Sequence, residues 1–298
     1  MKILKSTLAL ALISMTSLVT ACDPGDLQPA SDDTSVDPAP DTGTPPTPDD
    51  DVTPEPPAEP APVVRTVPAG RVADNLQLLY IFENSDTPSI IKDHSGEGDA
   101  YNVNIDNIDN VSFSAMGMSI DNPIIASNDD PVLKVLNACE ASQAITIETW
   151  AQSDVLDYDQ RARIIAMSVD GGNRNFGLGV NQNGGNWDAR LRTSETGNNG
   201  TDPSTTAAVG PNGEMQHVVY TRVQGLTNEG TMYVDGVKTT PVQLIPGTFA
   251  NWNQSYGINI GNERNGNREF IGTIALAAVY CKKLSDEEVQ QNFDAGYE

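Results

Sequence analysis

The chain has 298 residues and a formal net charge of −24, from 17 basic and 41 acidic side chains. That balance excludes a nucleic-acid partner, because phosphate contacts need clustered Lys and Arg. Length alone would admit two domains. However, 12 of the 20 prolines fall between Asp23 and Pro62, together with nine Asp, two Glu and no Lys or Arg, and so polar a stretch cannot bury enough surface to offset chain entropy.

In chain order, residues 1–21 come first. Lys2 and Lys5 give a positive start, an apolar run from Leu8 to Val19 follows, and small residues close it. This predicts a secretory signal peptide, too short for a comfortable membrane span. The end, Leu18-Val19-Thr20-Ala21-Cys22, resembles the lipobox of bacterial lipoproteins. The resemblance implies that Cys22 is diacylated, becomes the new N-terminus and anchors the protein to a membrane of the bacterial cell envelope. It leaves the leaflet open. Residues 22–66 then form a disordered acidic tether, which proline and like-charge repulsion keep extended.

Residues 67–298 form the folded region. Short β-rich runs, separated by Gly, Asn and Asp clusters, predict strands at Gln77 to Phe82, Val111 to Ile120, Ala144 to Ala151, Arg163 to Val169, Asn175 to Val180, Trp187 to Thr193, Gln216 to Val223, Gly230 to Val234, Ser255 to Gly261 and Phe270 to Tyr280. Such spacing is that of an all-β sandwich or barrel. Asp235-Gly236 supplies the positive φ angles of a tight hairpin turn, which makes Asp235 a turn residue. One short C-terminal helix is predicted, capped by Ser285 and Glu288 and stopped by Gly296. A helical turn around Pro131 to Leu136 accompanies it.

Several of these runs, taken in order, resemble the laminin-G-like domains of the concanavalin A-like jelly roll. They are Leu79 to Glu83, Asp93 to Gly96, Ala144-Ile145-Thr146-Ile147-Glu148-Thr149-Trp150, His217 to Arg222, Met232 to Gly236, Ile258 to Asn262 and Phe270 to Ile274 through Tyr280. The resemblance covers about residues 72–297. It implies a two-sheet antiparallel sandwich with one convex and one concave face, and a ligand that is a glycan, a glycoprotein or a matrix component. Some relatives bind Ca²⁺, and others are structural modules.

Catalysis is not indicated. The retaining hydrolases of this fold use Glu-x-Asp-x-x-Glu; Glu97-Gly98-Asp99-Ala100-Tyr101-Asn102 has Asn at the third carboxylate and sits among glycines. Binding candidates are clearer. On the Trp187 strand, Asp188, Arg190 and Arg192 share one face by period-two geometry, and charges there cannot line an apolar core cheaply. They are expected to face solvent or the groove. Glu263 and Arg268 lie in the Gly/Asn-rich loop that follows, and Trp252 before it is placed to stack on a sugar. For a structural Ca²⁺, loop carboxylates Asp93, Asp99, Asp157 and Asp159 are the candidates. With Cys22 lipidated, Cys139 and Cys281 remain as a disulfide pair in an oxidising compartment. The leading expectation is an envelope-anchored glycan- or glycoprotein-binding module. Alternatives are an adhesion module with a protein partner and, less well supported, a polysaccharide-degrading enzyme.

Overall fold

The computed structural model describes residues 67–82, 87–182, 185–239 and 242–297. The signal peptide, Cys22 and the tether lie outside the described residues. The elements are, in order, β1 (Leu76–Ile81), β2 (Ile90–Ile91), β3 (Val103–Ile105), β4 (Val111–Ser114), β5 (Gly117–Ile120), β6 (Ala126–Ser127), α1 (Leu133–Ser142), β7 (Ala144–Ser153), β8 (Ala162–Asp170), β9 (Asn173–Val180), β10 (Trp187–Leu191), β11 (Thr205–Thr206), β12 (Gln216–Val223), β13 (Glu229–Val234), β14 (Val237–Lys238), β15 (Gln243–Leu244), β16 (Gly257–Ile260), β17 (Gly272–Tyr280) and α2 (Asp286–Ala295).

The strands form two antiparallel sheets. In the nine-stranded sheet the order is β14-β13-β12-β7-β17-β5-β4, with β1 added to β17 and β15 to β13; in the eight-stranded sheet it is β11-β10-β9-β8-β16-β6-β3-β2. Alternation explains how they pack. Ile145 and Ile147 of β7, Val218 and Tyr220 of β12 and Val279 of β17 share one core with Ile165 and Met167 of β8, Phe176 and Leu178 of β9 and Ile258 and Ile260 of β16. Each such side chain contributes roughly 1.5–3 kcal/mol by leaving water.

The expected sandwich is present, with differences of detail. The predicted Val111–Ile120 strand is a hairpin, β4 paired with β5, because two residues between Ser114 and Gly117 turn the chain. The Trp187 strand ends at Leu191, before Arg192. Among the described residues there are two α-helices of ten residues, the turn expected around Pro131 to Leu136 being extended to Ser142 as α1. The first, α1, has no side-chain N-cap, so no capping signal marked its extent. It is held instead by burial of Val135 and Leu136 and by the Cys139–Cys281 disulfide to the end of β17. As expected, α2 has the Ser285–Glu288 capping box. Asp235 and Gly236 make the hairpin turn with φ of 52° and 75°.

The outer face of the nine-stranded sheet is sealed. A second apolar cluster joins Leu79, Trp150, Val219, Tyr233, Leu276 and Tyr280 to Val72 and to Val289 of α2. Trp150 stacks on His217 at 5.0 Å and on Phe293 of α2 at 5.6 Å between centroids. Beneath the stack lies buried Glu148. Its Oε1 accepts from Arg71 Nη2 and, at 2.8 Å, from His217 Nε2; its Oε2 accepts from Asn292 Nδ2 at 2.8 Å. Arg71 Nη1 also donates to the Gly296 carbonyl at 2.5 Å, so one carboxylate ties the start of the folded region and α2 to β7.

Burial pushes the Glu148 carboxyl up, but the Arg71 charge and the His217 contact outweigh it and hold it at about 2 against an ordinary 4.5. Between those values the unfolded chain binds more protons, so the contribution is full above about pH 5 and is lost as pH falls towards 2. A shift of that size corresponds to roughly 3 kcal/mol. Urea unfolding of wild type against Glu148→Gln between pH 5 and 2 will show a shallower pH slope in the variant; parallel slopes would contradict this assignment.

Candidate functional site

The outer face of the eight-stranded sheet is built from the residues that alternate with the core. In β9, Phe176, Leu178 and Val180 point inward, so Gly177 and Gly179 face out. In β10, Trp187, Ala189 and Leu191 point inward, so Asp188 and Arg190 face out. Asn259 of β16 and Ser168 of β8 follow the same rule. Arg163 lies across Gly177: a Cβ there would stand 3.3 Å from Arg163 Nε. The glycine therefore leaves the room that the guanidinium occupies.

Charges converge on this face. Arg163 Nε donates to Glu263 Oε1 at 3.1 Å, and Arg174 Nη2 lies 3.7 Å from the same oxygen. Ser168 Oγ donates to Glu263 Oε2 at 2.6 Å and accepts from Asn259 Nδ2 at 2.8 Å. Arg161 Nε donates to Asp188 Oδ2 at 3.0 Å. Arg190 Nη2 lies 3.4 Å from Asp202 Oδ1. Arg268 borders the group: its Nη2 comes near Gly171, and its Nη1 donates to Gln160 Oε1 at 3.1 Å.

Arg163, Arg174, Asp188, Arg190 and Glu263 are all buried. Three buried guanidiniums thus stand against two buried carboxylates, Glu263 and Asp188, with half-buried Arg161 and Arg268 and exposed Asp202 at the margin. Donors exceed acceptors. Arg163 Nη1 and Nη2, Arg174 Nε, and Arg190 Nε and Nη1 have no hydrogen-bond partner among the described residues, and on the acceptor side neither has Asp188 Oδ1. Burial and then the Arg163 charge push Arg174 down to about 9, against the pull of Glu263. Arg190 is pushed down by burial and then by Arg161. A buried donor left unpaired costs about 1–3 kcal/mol; these atoms are inaccessible in the fold, so an oxygen ligand reaches them only when a covering side chain moves aside. Guanidinium forks suit hydroxyl and carboxylate oxygens.

The structure brings some predicted residues together and disperses others. Asp188, Arg190, Glu263 and Arg268 meet at this face. Asp188 and Arg190 point away from the core on the outer sheet face, where solvent or the groove was expected, and are buried there beneath neighbouring side chains. Glu263 is not an exposed loop ligand but a buried counter-ion with both oxygens engaged. Arg192 lies one residue past β10 and is half-buried. Trp252 cannot stack on a sugar: it is in the core, 4.4 Å from Phe249 between centroids, with Nε1 donating to the Arg192 carbonyl at 2.8 Å.

Asp93 is not free for a cation. Its oxygens accept from the backbone N–H of Leu79, Ser95 and Tyr101 and from Lys134 Nζ at 2.6 Å. Asp99, Asp157 and Asp159 are exposed, and no group of three or more His, Cys, Asp or Glu among the described residues is arranged to hold a metal ion. Sequence reasoning missed Arg161, Arg163, Arg174, Ser168, Asn259 and Asp202. The Gly-x-Gly alternation in β9 was the available signal, since it marks space on one face beside a strand that carries Arg163.

Residues 126–290 match the family described as the Concanavalin A-like lectin/glucanases superfamily. The chain belongs to that superfamily. No curated protein sequence matches it. Among solved structures, a Trypanosoma rangeli sialidase in complex with sialic acid aligns at 16% identity and a TM-score of 0.51, covering 74% of this chain and 32% of the sialidase. The chain thus spans about a third of that enzyme's length. Domain 4 of an extracellular arabinanase from Geobacillus stearothermophilus, in complex with arabinotriose, aligns at 15% identity and a TM-score of 0.47, over 72% of this chain and 97% of that domain. At 16% identity the likeness to the sialidase is one of fold alone. In this concanavalin A-like sandwich the matched segment contains every residue of the charged face.

Proposed function

We propose that the protein is a cell-envelope binding module, held by a lipidated Cys22 and an extended tether, that takes a glycan or the glycan of a glycoprotein on the outer face of its eight-stranded sheet. One observation carries this reading. The other sheet's outer face is sealed by α2 and Val72, whereas this one carries buried guanidinium N–H groups without partners. Donor-rich surfaces of this kind are matched by the closely spaced oxygens of sugars. Binding is favoured over hydrolysis because hydrolysis needs one carboxyl to donate a proton and another to attack or activate water. Glu263 has both oxygens committed to Arg163 and Ser168.

The test is a glycan array probed with the full mature chain, with and without Ca²⁺. Selective binding that disappears in Arg190→Ala, with no fall in thermal stability, is the expected result. Retained stability follows because an incompletely paired buried guanidinium costs as much as it contributes. Silence across all glycan classes would overturn the reading.

A further inference from the structure

The contact at Arg190 is unequal. The Arg190 side chain is 3% exposed and its partner Asp202 is 78% exposed. The separation is 3.4 Å, and Arg190 Nε and Nη1 have no partner at all. A buried cation is thus served by a single long contact to a solvent-screened carboxylate, a type of pair that contributes little. Among the described residues of the face, Asp202 is held less firmly than Asp188 or Glu263. By contrast, Asp188 is bound by Arg161 at 3.0 Å and Glu263 by Arg163 and Ser168. The neighbouring chain is fastened without Asp202, through Ser204 Oγ accepting from Arg161 Nη2 and the Pro203 carbonyl accepting from Gln243 Nε2 at 2.7 Å. The Asp202 side chain can therefore leave Arg190 while its loop stays in place.

We propose that Arg190 is the carboxylate subsite for an acidic saccharide of the uronic acid class, and that Asp202 is a built-in occupant which the ligand's carboxylate displaces. The proposal rests on the reading that this face binds glycans. The group the fold itself sets on Arg190 is a carboxylate, so a carboxylate is the chemistry the position accepts. The surplus of guanidinium over carboxylate around it favours an anion over a neutral hydroxyl. A planar guanidinium meets a carboxylate through two parallel hydrogen bonds, where Asp202 now supplies one.

Calorimetry on the full mature chain tests this with a set of oligouronates, each paired with its carboxyl-reduced neutral counterpart. The wild type should bind at least one oligouronate roughly tenfold tighter than its neutral partner, the size of a single charge-assisted contact. Asp202→Asn removes the competitor, so oligouronate affinity should rise several-fold while neutral affinity stays unchanged. Arg190→Gln should erase the preference. Equal binding of acidic and neutral members, or weaker oligouronate binding in Asp202→Asn, overturns the proposal and leaves the glycan reading standing. If no member of either set binds, this proposal falls, while the glycan reading stands or falls on the array.

Discussion

Replacing Glu263 by alanine will cost about 3–5 kcal/mol, the usual penalty for stripping the partner from a buried charge. Its carboxylate lies 3.1 Å from Arg163 Nε and 3.7 Å from Arg174 Nη2, and all three side chains are almost wholly inaccessible. Without it, Arg163 and Arg174 stay buried without their ion-pair partner, and Ser168 Oγ loses its acceptor. For a domain of this size, the melting temperature should fall by about 6–20 °C. The double variant Arg163→Met with Glu263→Met should recover part of the loss, because removing both charges costs less than orphaning one. A change in Glu263→Ala below about 1 kcal/mol would mean that water reaches the pair in solution.

The disulfide carries a comparable effect by another route. Cys139 and Cys281 are joined across a sequence separation of 142, and closing so long a loop restricts the unfolded chain by about 5 kcal/mol in the chain-entropy treatment. The bond also fixes α1, which lacks a side-chain cap, to the end of β17. The Cys139→Ser, Cys281→Ser double variant should therefore lose stability of that order in urea unfolding. A loss under about 1 kcal/mol would show that packing of Val135 and Leu136 alone holds the helix.

What could be read from the sequence follows the physics of each signal. Strands with a clear alternation or a long β-branched run, such as Gln216–Val223, were placed to the residue, and the capping box located α2. Two-residue strands such as β2, β6 and β11 were invisible, because a period of two needs more than one repeat. Helix α1 was under-read because burial and a covalent bond stabilise it, and neither leaves a local pattern. The candidate site divides in the same way. Asp188 and Arg190 were legible because charges alternate with apolar residues on one strand. Arg163 and Arg174 were not, because irregular pairing between β8 and β9 breaks the alternation that would have shown them facing out. Trp252 misled because an aromatic beside a Gly/Asn-rich loop resembles a sugar platform, while its ring completes the core against Phe249 and Phe176.

The most direct measurement is backbone hydrogen exchange of the full mature chain with and without a saturating glycan identified on the array. Slowed exchange is expected in β8, β9, β10 and β16 and around Asp202, with β7, β12, β17 and α2 unchanged. Protection centred on α2 and the nine-stranded sheet, with the arginine face unaffected, would contradict glycan binding on that face.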